Sequence, residues 1–342
     1  MESKDEASEP VSPTGQYFNS SVLSICILAV LESEIPIDDS STISLLQDVF
    51  LPISPRFSSI MVKDKNGVKQ WKKFEVKLKD HVNVPIFPSG LPPNSYDNYL
   101  NDYLTKIAME QLPQSRPLWE IHIFKYPTST AAGVLIFKLH HALGDGFSLM
   151  GALLSCLQRA DNPSLPLTFP SLQNHSMPMN IPKFLSSAFN TVSDFGWSLL
   201  KSVCIEDDQT PIRSSGDSGV EFKPITITTM TFSLEHIKQV KAKLGVLNNN
   251  ANSTALVLMN TRNIGGYKSV EEMVKPDAES PWGNQFGFLH VSLPDLTKAE
   301  SSNPLEFVLK AQKSIKRKRN SLAVNLTGRL LESLRKLTGP EV

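Results

Sequence analysis

Apolar residues crowd the stretch from Ser21 to Leu31, which is too short for periodicity to separate strand from helix and is predicted here as a strand. Further on, Ser58 to Val62 and Val68 to Phe74 flank the polar run Lys-Asp-Lys-Asn-Gly. Its Asn66-Gly67 pair supplies the positive φ angles of a tight turn, so an antiparallel hairpin is expected. Tyr96, Tyr99, Leu100, Tyr103, Leu104 and Ile107 recur at three- and four-residue spacing and predict an amphipathic helix over 96–111. Its aromatic stripe is read as core packing. Leu118 to Lys125 and Gly133 to His141 read as strands, the second almost unbroken in apolar residues and so covered on both faces. A helix follows within Gly144 to Arg159.

After Asp161 the pattern loosens into Pro, Ser, Asn and Asp, which marks a connection between two lobes. Inside it, residues 182–204 place Phe184, Leu185, Ala188, Val192, Phe195, Leu199 and Val203 on one helical face, with Lys183, Asp194 and Lys201 elsewhere. That face fits a membrane surface and the flank of its own protein equally well. A strand at Ile225 to Phe232 and a helix capped by Ser233, carrying Ile237, Val240 and Leu244 up to Gly245, open the second lobe. Strands are predicted at Thr254 to Asn260 and Phe286 to Leu293, then a helix from Pro304 ending in Lys316-Arg317-Lys318-Arg319. The basic run is taken as a solvated helix face, with lipid headgroups or the phosphates of CoA as its other readings. The resulting organisation is a flexible tail over 1–16, a first lobe over 17–160, a linker over 161–220 and a second lobe over 221–342.

With 342 residues and 40% hydrophobic content, a sizeable core is available. The 34 basic and 34 acidic side chains balance, leaving no field to gather nucleic acid. Cys26, Cys156 and Cys204 are too few and too scattered for a disulfide scaffold and fit a reducing compartment. The polar, acidic start does not read as a secretory signal, and the best apolar run, Val22 to Leu31, is too short to span a bilayer.

Chemistry concentrates in His140-His141-Ala142-Leu143-Gly144-Asp145-Gly146. Alternation along the preceding strand sets His141 with Leu135, Phe137 and Leu139, and His140 with the opposite face. An imidazole at a strand end can take a proton from an alcohol that attacks a thioester and return it to the departing thiolate. A satisfied strand-end histidine is the plainer reading of the same residue. Asp145 either orients the imidazole or holds the loop through a buried pairing with an arginine, the second being preferred. Gly144 and Gly146 allow backbone amides to approach a substrate oxygen near a helix start. His122, His175, His236 and His290 supply no paired metal motif, and no Gly-x-Ser-x-Gly elbow is present, so neither a metal site nor a serine nucleophile is expected.

The HHALGDG segment occurs in order with VSPTG near the start, PRFSSIMV at 55–62, HVNVP at 81–85, PLWEIHIF at 117–124, NTRNI at 260–264 and WGNQFG at 282–287. In these the chain resembles, from about residue 10 to its end, the plant wax ester synthase/diacylglycerol acyltransferase family, related to chloramphenicol acetyltransferase-like enzymes. The resemblance implies an α/β (α+β) fold of two lobes with mixed sheets flanked by helices and a tunnel between them. It implies His141 as proton acceptor, His140 as its neighbour, and Asp145 with Gly146 as the structural completion of the motif. Acyl-CoA would be the co-substrate, a long-chain fatty alcohol or diacylglycerol the acceptor, with no bound cofactor. The expected location is the cytosolic face of the endoplasmic reticulum membrane, with the plasma membrane as a further site. Two departures stand out: the segment after Gly245 is short, and the chain stops at Val342 before the family's last strands, so the second lobe is expected to be incomplete. Alternative readings are therefore a catalytically impaired, truncated isoform binding acyl-CoA or a partner, and a soluble acyltransferase on a small alcohol. The BAHD-type DFGWG segment expected of the latter has only a partial echo, at Asp194 to Trp197.

Overall fold

A computed structural model of the chain describes residues 9–165 apart from 21, 22, 66 and 160, then 167, 191–197, 200, 224–229, 232, 233, 235, 236, 239, 254–262, 270–275, 278, 281–292, 304–319, 326, 330 and 333. Its centre is a sheet in the order β2-β7-β6-β5, made of β2 (Cys26–Ser33), β7 (Gly133–His140), β6 (Trp119–Phe124) and β5 (Val82–Asn83). β7 runs antiparallel to both neighbours, pairing Cys26 with His140 on one side and Trp119 with Leu139 on the other. β5 lies parallel to β6.

The apolar sequence of β7, broken only by Lys138 before its terminal His140, follows from this central place. Leu135, Phe137 and Leu139 join Trp119, Ile121 and Ile123 on one face, packed with Phe50 and Phe57. Val134 and Ile136 join Phe124 on the other, beneath Tyr96, Leu104 and Ile107 of α4 (Pro93–Met109). Each such fully buried side chain contributes about 1.5–3 kcal/mol. The tyrosine stripe of α4 is packing, as its spacing predicts: Tyr96 is buried and donates to the Pro88 carbonyl at 2.8 Å. The helix begins earlier than 96 because Pro93 takes its first turn, where a missing N–H costs nothing.

A separate three-stranded sheet comes from the first 73 residues. β1 (Glu9–Pro10) pairs with β4 (Lys69–Lys73), which pairs with β3 (Ser59–Lys63) in the predicted hairpin. Gly67 has φ 80°, and Asn66 lies outside the described residues. α1 (Pro13–Tyr17) follows β1, and a helical run from α2 (Thr42–Leu45) through a π-turn at Leu46–Phe50 to α3 (Leu51–Ile53) leads into a 3-10 turn at Pro55–Ser58. β2 starts later than expected because Ser24 bridges back to Asn19, forming a tight reversal before the strand.

α5 (Gly146–Cys156) follows β7 across a short turn. In the second half, β8 (Thr254–Asn260) and β9 (Phe286–Ser292) form an antiparallel ribbon, with α6 (Val270–Met273) between them and α7 (Pro304–Arg319) against β9. The strand expected at Ile225 to Phe232 does not form: residues 224–229 are neither strand nor helix. Instead Ile227 packs on the α4 cluster and its N–H donates to Thr105 Oγ1 at 2.8 Å, so the apolar residues serve as a strap rather than a ladder partner. Ser233 does cap a helical turn, accepting from His236 N at 3.1 Å; Ile237, Val240, Leu244 and Gly245 lie outside the described residues.

One expectation about charged residues is reversed and a second holds only in part. In the linker, residues 191–197 are helical, but Asp194 is buried while Val192 is 72% exposed. Likewise Arg317 and Lys318 are not simply a solvated face. Arg317 Nη2 donates to Asp194 Oδ1 at 2.7 Å, and buried Lys318 donates to the His290 carbonyl at 2.6 Å. Arg317 at 2.7 Å and Lys318 at 4.0 Å from Asp194 Oδ1 offset part of the cost of burying that carboxylate. The helical state of Asp194 to Trp197 also removes the strand-to-loop setting that the BAHD echo would need.

Candidate active site

The strand β7 ends at His140, and the next residue, His141, is held by backbone and side chain at once. Its N–H donates to the Ile25 carbonyl at 2.8 Å, tying the turn to the start of β2. Asn284, just before β9, grips it twice: Nδ2 donates to the His141 carbonyl at 2.9 Å, and Oδ1 lies 2.9 Å from His141 Nδ1. Because the amide nitrogen is committed to a carbonyl, the oxygen must face the ring, and Nδ1 must carry the proton that it accepts. The lone pair is thereby left on Nε2. The ring sits between Phe18, at 4.4 Å between centroids, and Phe286, at 5.7 Å.

His140 has a different task. Fully buried, it accepts from the Ala142 N–H through Nδ1 at 3.1 Å and lies 3.4 Å from Ser24 Oγ through Nε2. Burial, then repulsion from His141 and Lys69, pushes its pKa down to about 4, so it is a neutral brace of the turn.

Asp145 stands at the N-cap of α5. One oxygen accepts from Ser148 N at 3.0 Å; the other accepts from Arg262 Nη1 at 2.6 Å and from Gln285 N at 2.9 Å. Arg262 is spent on this loop: it also donates to Ser148 Oγ at 3.0 Å, Gly283 O at 2.6 Å and Pro281 O at 2.9 Å. The carboxylate therefore fills the helix N-terminus itself and makes no hydrogen bond to the imidazole. Gly144 has no unusual φ, but a Cβ there would stand 3.0 Å from Ser148 Cβ and 3.4 Å from Trp282 Nε1, so its smallness lets the WGN segment approach. Gly146 is exposed with open space around it.

From the second half of the chain, Trp282-Gly283-Asn284 closes over the histidine turn. Trp282 Nε1 donates to the Leu143 carbonyl at 2.7 Å, and Arg56 Nη1 donates to the same oxygen at 3.2 Å. Gly283 adopts φ 122°, and a Cβ there would meet Arg56 Nη1 at 3.2 Å. Sequence reasoning placed Arg262 and Asn284 in family-matching segments but gave neither a role. The signal is distributed: Asn284 lies 143 residues from the histidine it orients, and no local period reveals that.

Two family domains match the chain: the wax ester synthase/diacylglycerol acyltransferase catalytic domain over residues 47–196 and the WS/DGAT C-terminal domain over 282–342. The chain belongs to the wax ester synthase/diacylglycerol acyltransferase family. Among its relatives are Arabidopsis thaliana wax ester synthase/diacylglycerol acyltransferase 4, 28% identical over 98% of this chain and 74% of that protein, and number 11, 27% identical over 92% and 72%. For the fold, the first condensation domain of the calcium-dependent antibiotic synthetase, in complex with a substrate analogue, superposes with a TM-score of 0.55 at 14% identity, over 92% of this chain and 76% of that one. The starter condensation domain of rhizomide synthetase, solved with C8-CoA, gives 0.54 at 11% identity, over 97% and 75%. These likenesses support the mixed α/β fold expected of the family. In family terms, the catalytic-domain match contributes the histidine turn, and the C-terminal match contributes the WGN segment that clamps it.

Proposed function

We propose that this chain is an acyl-CoA-dependent O-acyltransferase that esterifies a long-chain fatty alcohol, diacylglycerol or both, with His141 as its general base. The observation that carries this is the double contact with Asn284, which fixes the ring and leaves the Nε2 lone pair available. Nε2 takes the proton of the acceptor hydroxyl as its oxygen bonds to the thioester carbon. The tetrahedral oxyanion then collapses, the carbon–sulfur bond breaks, and the CoA thiolate takes the proton back from Nε2. No covalent acyl-enzyme forms. Phe18 and Phe286 give the ring an apolar flank that disfavours attack by water. Gly144 and Gly146 are the backbone positions nearest the motif turn where a developing oxyanion would be received; Asp145 acts by holding that turn.

Association with the cytosolic face of a membrane, of the endoplasmic reticulum in the first place, is part of the same reading. It is supported by apolar substrates and by the outward face of segment 191–197, where Val192 and Trp197 are 72% and 52% exposed. No helix among the described residues is long and apolar enough to cross a bilayer, so attachment through a surface face is the mode proposed.

The test is an esterification assay of membranes containing the full chain or its His141→Ala form at matched expression. Labelled palmitoyl-CoA is offered with hexadecanol or with diacylglycerol. Ester that depends on His141 is expected; ester made equally by His141→Ala would sink the base assignment.

A further inference from the structure

The segment from Val11 to Asn19 is built to hold one ring in place. Ser12 Oγ accepts from Gly15 N at 3.1 Å and caps α1. A Cβ at Gly15 would stand 3.1 Å from Val11 Cγ1 and 3.5 Å from the Ala142 carbonyl, so α1 lies directly on the histidine turn. Phe18, the next residue after α1, is 8% exposed, and its N–H donates to the Thr14 carbonyl at 3.0 Å. Beyond it, Asn19 Nδ2 donates to Gln114 Oε1 at 3.0 Å, and the Asn19 carbonyl accepts from Lys69 Nζ. A single residue then ties Phe18 to the candidate base. Ile25 N donates to the Phe18 carbonyl at 3.4 Å, and the Ile25 carbonyl accepts from His141 N at 2.8 Å.

Backbone bonds thus fix the Phe18 ring 4.4 Å from the imidazole. Phe286 completes the group, 6.0 Å from Phe18 in a nearly parallel stack and 5.7 Å from His141. It is held at the start of β9 opposite Asn260 and is braced edge-on by Phe288 at 5.8 Å. Three centroids in mutual contact form a triangle, so the two phenyls wall one side of the imidazole. Nδ1 faces Asn284, which leaves Nε2 to be reached along this wall. A hydroxyl bonded to Nε2 at about 2.8 Å holds its oxygen roughly 4 Å from the imidazole centre, with the carbon that bears it one bond further. A second carbon on that atom comes within reach of the phenyls, where a hydrogen does not. Walls pinned by their own backbones accommodate an added methyl only at the expense of strain.

We propose that Phe18, backed by Phe286, is a specificity-determining residue that admits acceptors whose hydroxyl sits on a primary carbon and rejects those whose hydroxyl sits on a secondary one. This selection requires His141 to be the base, and it deepens that reading by naming the acceptors. They are alcohols with a terminal hydroxyl and 1,2-diacylglycerol, whose free hydroxyl is primary. Internal alcohols and 1,3-diacylglycerol, whose free hydroxyl is secondary, are excluded.

Two measurements on the full chain test this, in wild type and Phe18→Leu, with thermal melting as the check on folding. Phe286→Leu, from the other half of the chain, should act in the same direction by less, and it decides the matter if Phe18→Leu does not fold. First, palmitoyl-CoA is offered with hexadecan-1-ol or hexadecan-2-ol, and with 1,2- or 1,3-diacylglycerol. Wild type should favour the primary hydroxyl by about a hundredfold in kcat/KM, and Phe18→Leu should lower that ratio by about tenfold. Second, and without turnover, His141 is alkylated with iodoacetamide or 2-iodopropanamide, which bring a primary and a secondary carbon to Nε2. The rates at His141 are read by peptide mass spectrometry and compared with those of free N-acetylhistidine. Wild type should disfavour the secondary reagent by about tenfold more than the free imidazole does, and Phe18→Leu should remove most of that excess. Equal use of the two hydroxyl classes by wild type, or an alkylation ratio matching the free imidazole, would overturn the wall. Alkylation that shows the wall, with no His141-dependent ester from either alcohol, would sink the enzymatic reading alone. His141-dependent ester with both ratios unmoved by the leucine variants would sink the role of Phe18 alone.

Discussion

At the scale of single residues, the two adjacent histidines divide proton work from bracing, and each division predicts a separate measurement. Asn284→Ala removes the partner of His141 Nδ1 and the donor to the His141 carbonyl. Both tautomers then become accessible, and the ring gains freedom. The expected result is a fall in kcat of about 10–100-fold with a stability loss of about 1 kcal/mol, read by steady-state assay and urea melts. A variant with unchanged kcat would show that Asn284 does not set the tautomer. For His140 the prediction concerns pH. Its folded pKa is about 4, below the ordinary 6.5 it regains on unfolding. The unfolded chain binds more protons between those values, so the contribution is intact above about 6.5 and drains away as pH falls toward about 4, on the order of 1 kcal/mol per pH unit. Melting temperatures of the wild type should drop over that window more steeply than those of His140→Gln; parallel curves would show that other groups carry the acid sensitivity.

At the scale of elements, the site is a turn from the first half gripped by a segment from the second, and the grip is electrostatic. Removing Arg262 alone leaves Asp145 buried at 5% exposure without its cation. Arg262→Met should therefore destabilise by about 3–5 kcal/mol, whereas adding Asp145→Asn should restore part of that loss, a non-additivity that a double-mutant cycle reads directly. Additive losses would mean that the pair is not coupled. Gly283→Ala places a side chain at φ 122° and 3.2 Å from Arg56, and should cost about 1–3 kcal/mol and weaken the clamp. Local pattern made one half of this arrangement legible. Period-two and near-continuous apolar runs locate β6, β7, β8 and β9, three- and four-residue spacing locates α4, and the histidine turn follows from its strand. The partners of that turn were not legible, because Arg262 and Asn284 reach it through tertiary contacts across 117 and 143 residues. The same blindness explains the strap at 224–229: Ile227 has a strand-like composition, and only the presence of Thr105 and α4 beside it decides its state.

At the scale of the whole molecule, the segment at 191–197 links the histidine lobe to the ribbon that completes the site. Asp194, buried at 5%, is held by Arg317 at 2.7 Å with Lys318 at 4.0 Å, and Lys318 in turn holds the His290 carbonyl of β9. In this segment Asp194 is buried while Val192 and Trp197 are 72% and 52% exposed, and Leu200 just beyond it is 47% exposed. Water is a poor neighbour for that face, whereas an interfacial bilayer suits tryptophan, with its apolar body and single N–H donor. Val192→Ser combined with Trp197→Ser should weaken co-sedimentation of the full chain with phosphatidylcholine vesicles by about tenfold, without lowering the melting temperature, since both side chains already meet solvent. Asp194→Asn should do the opposite, lowering the melting temperature while its effect on vesicle binding stays secondary. Equal vesicle binding by the serine variant and wild type would remove this segment as the point of attachment. In that case, gel filtration of the same pair would show whether the apolar face is instead covered by a second copy of the chain.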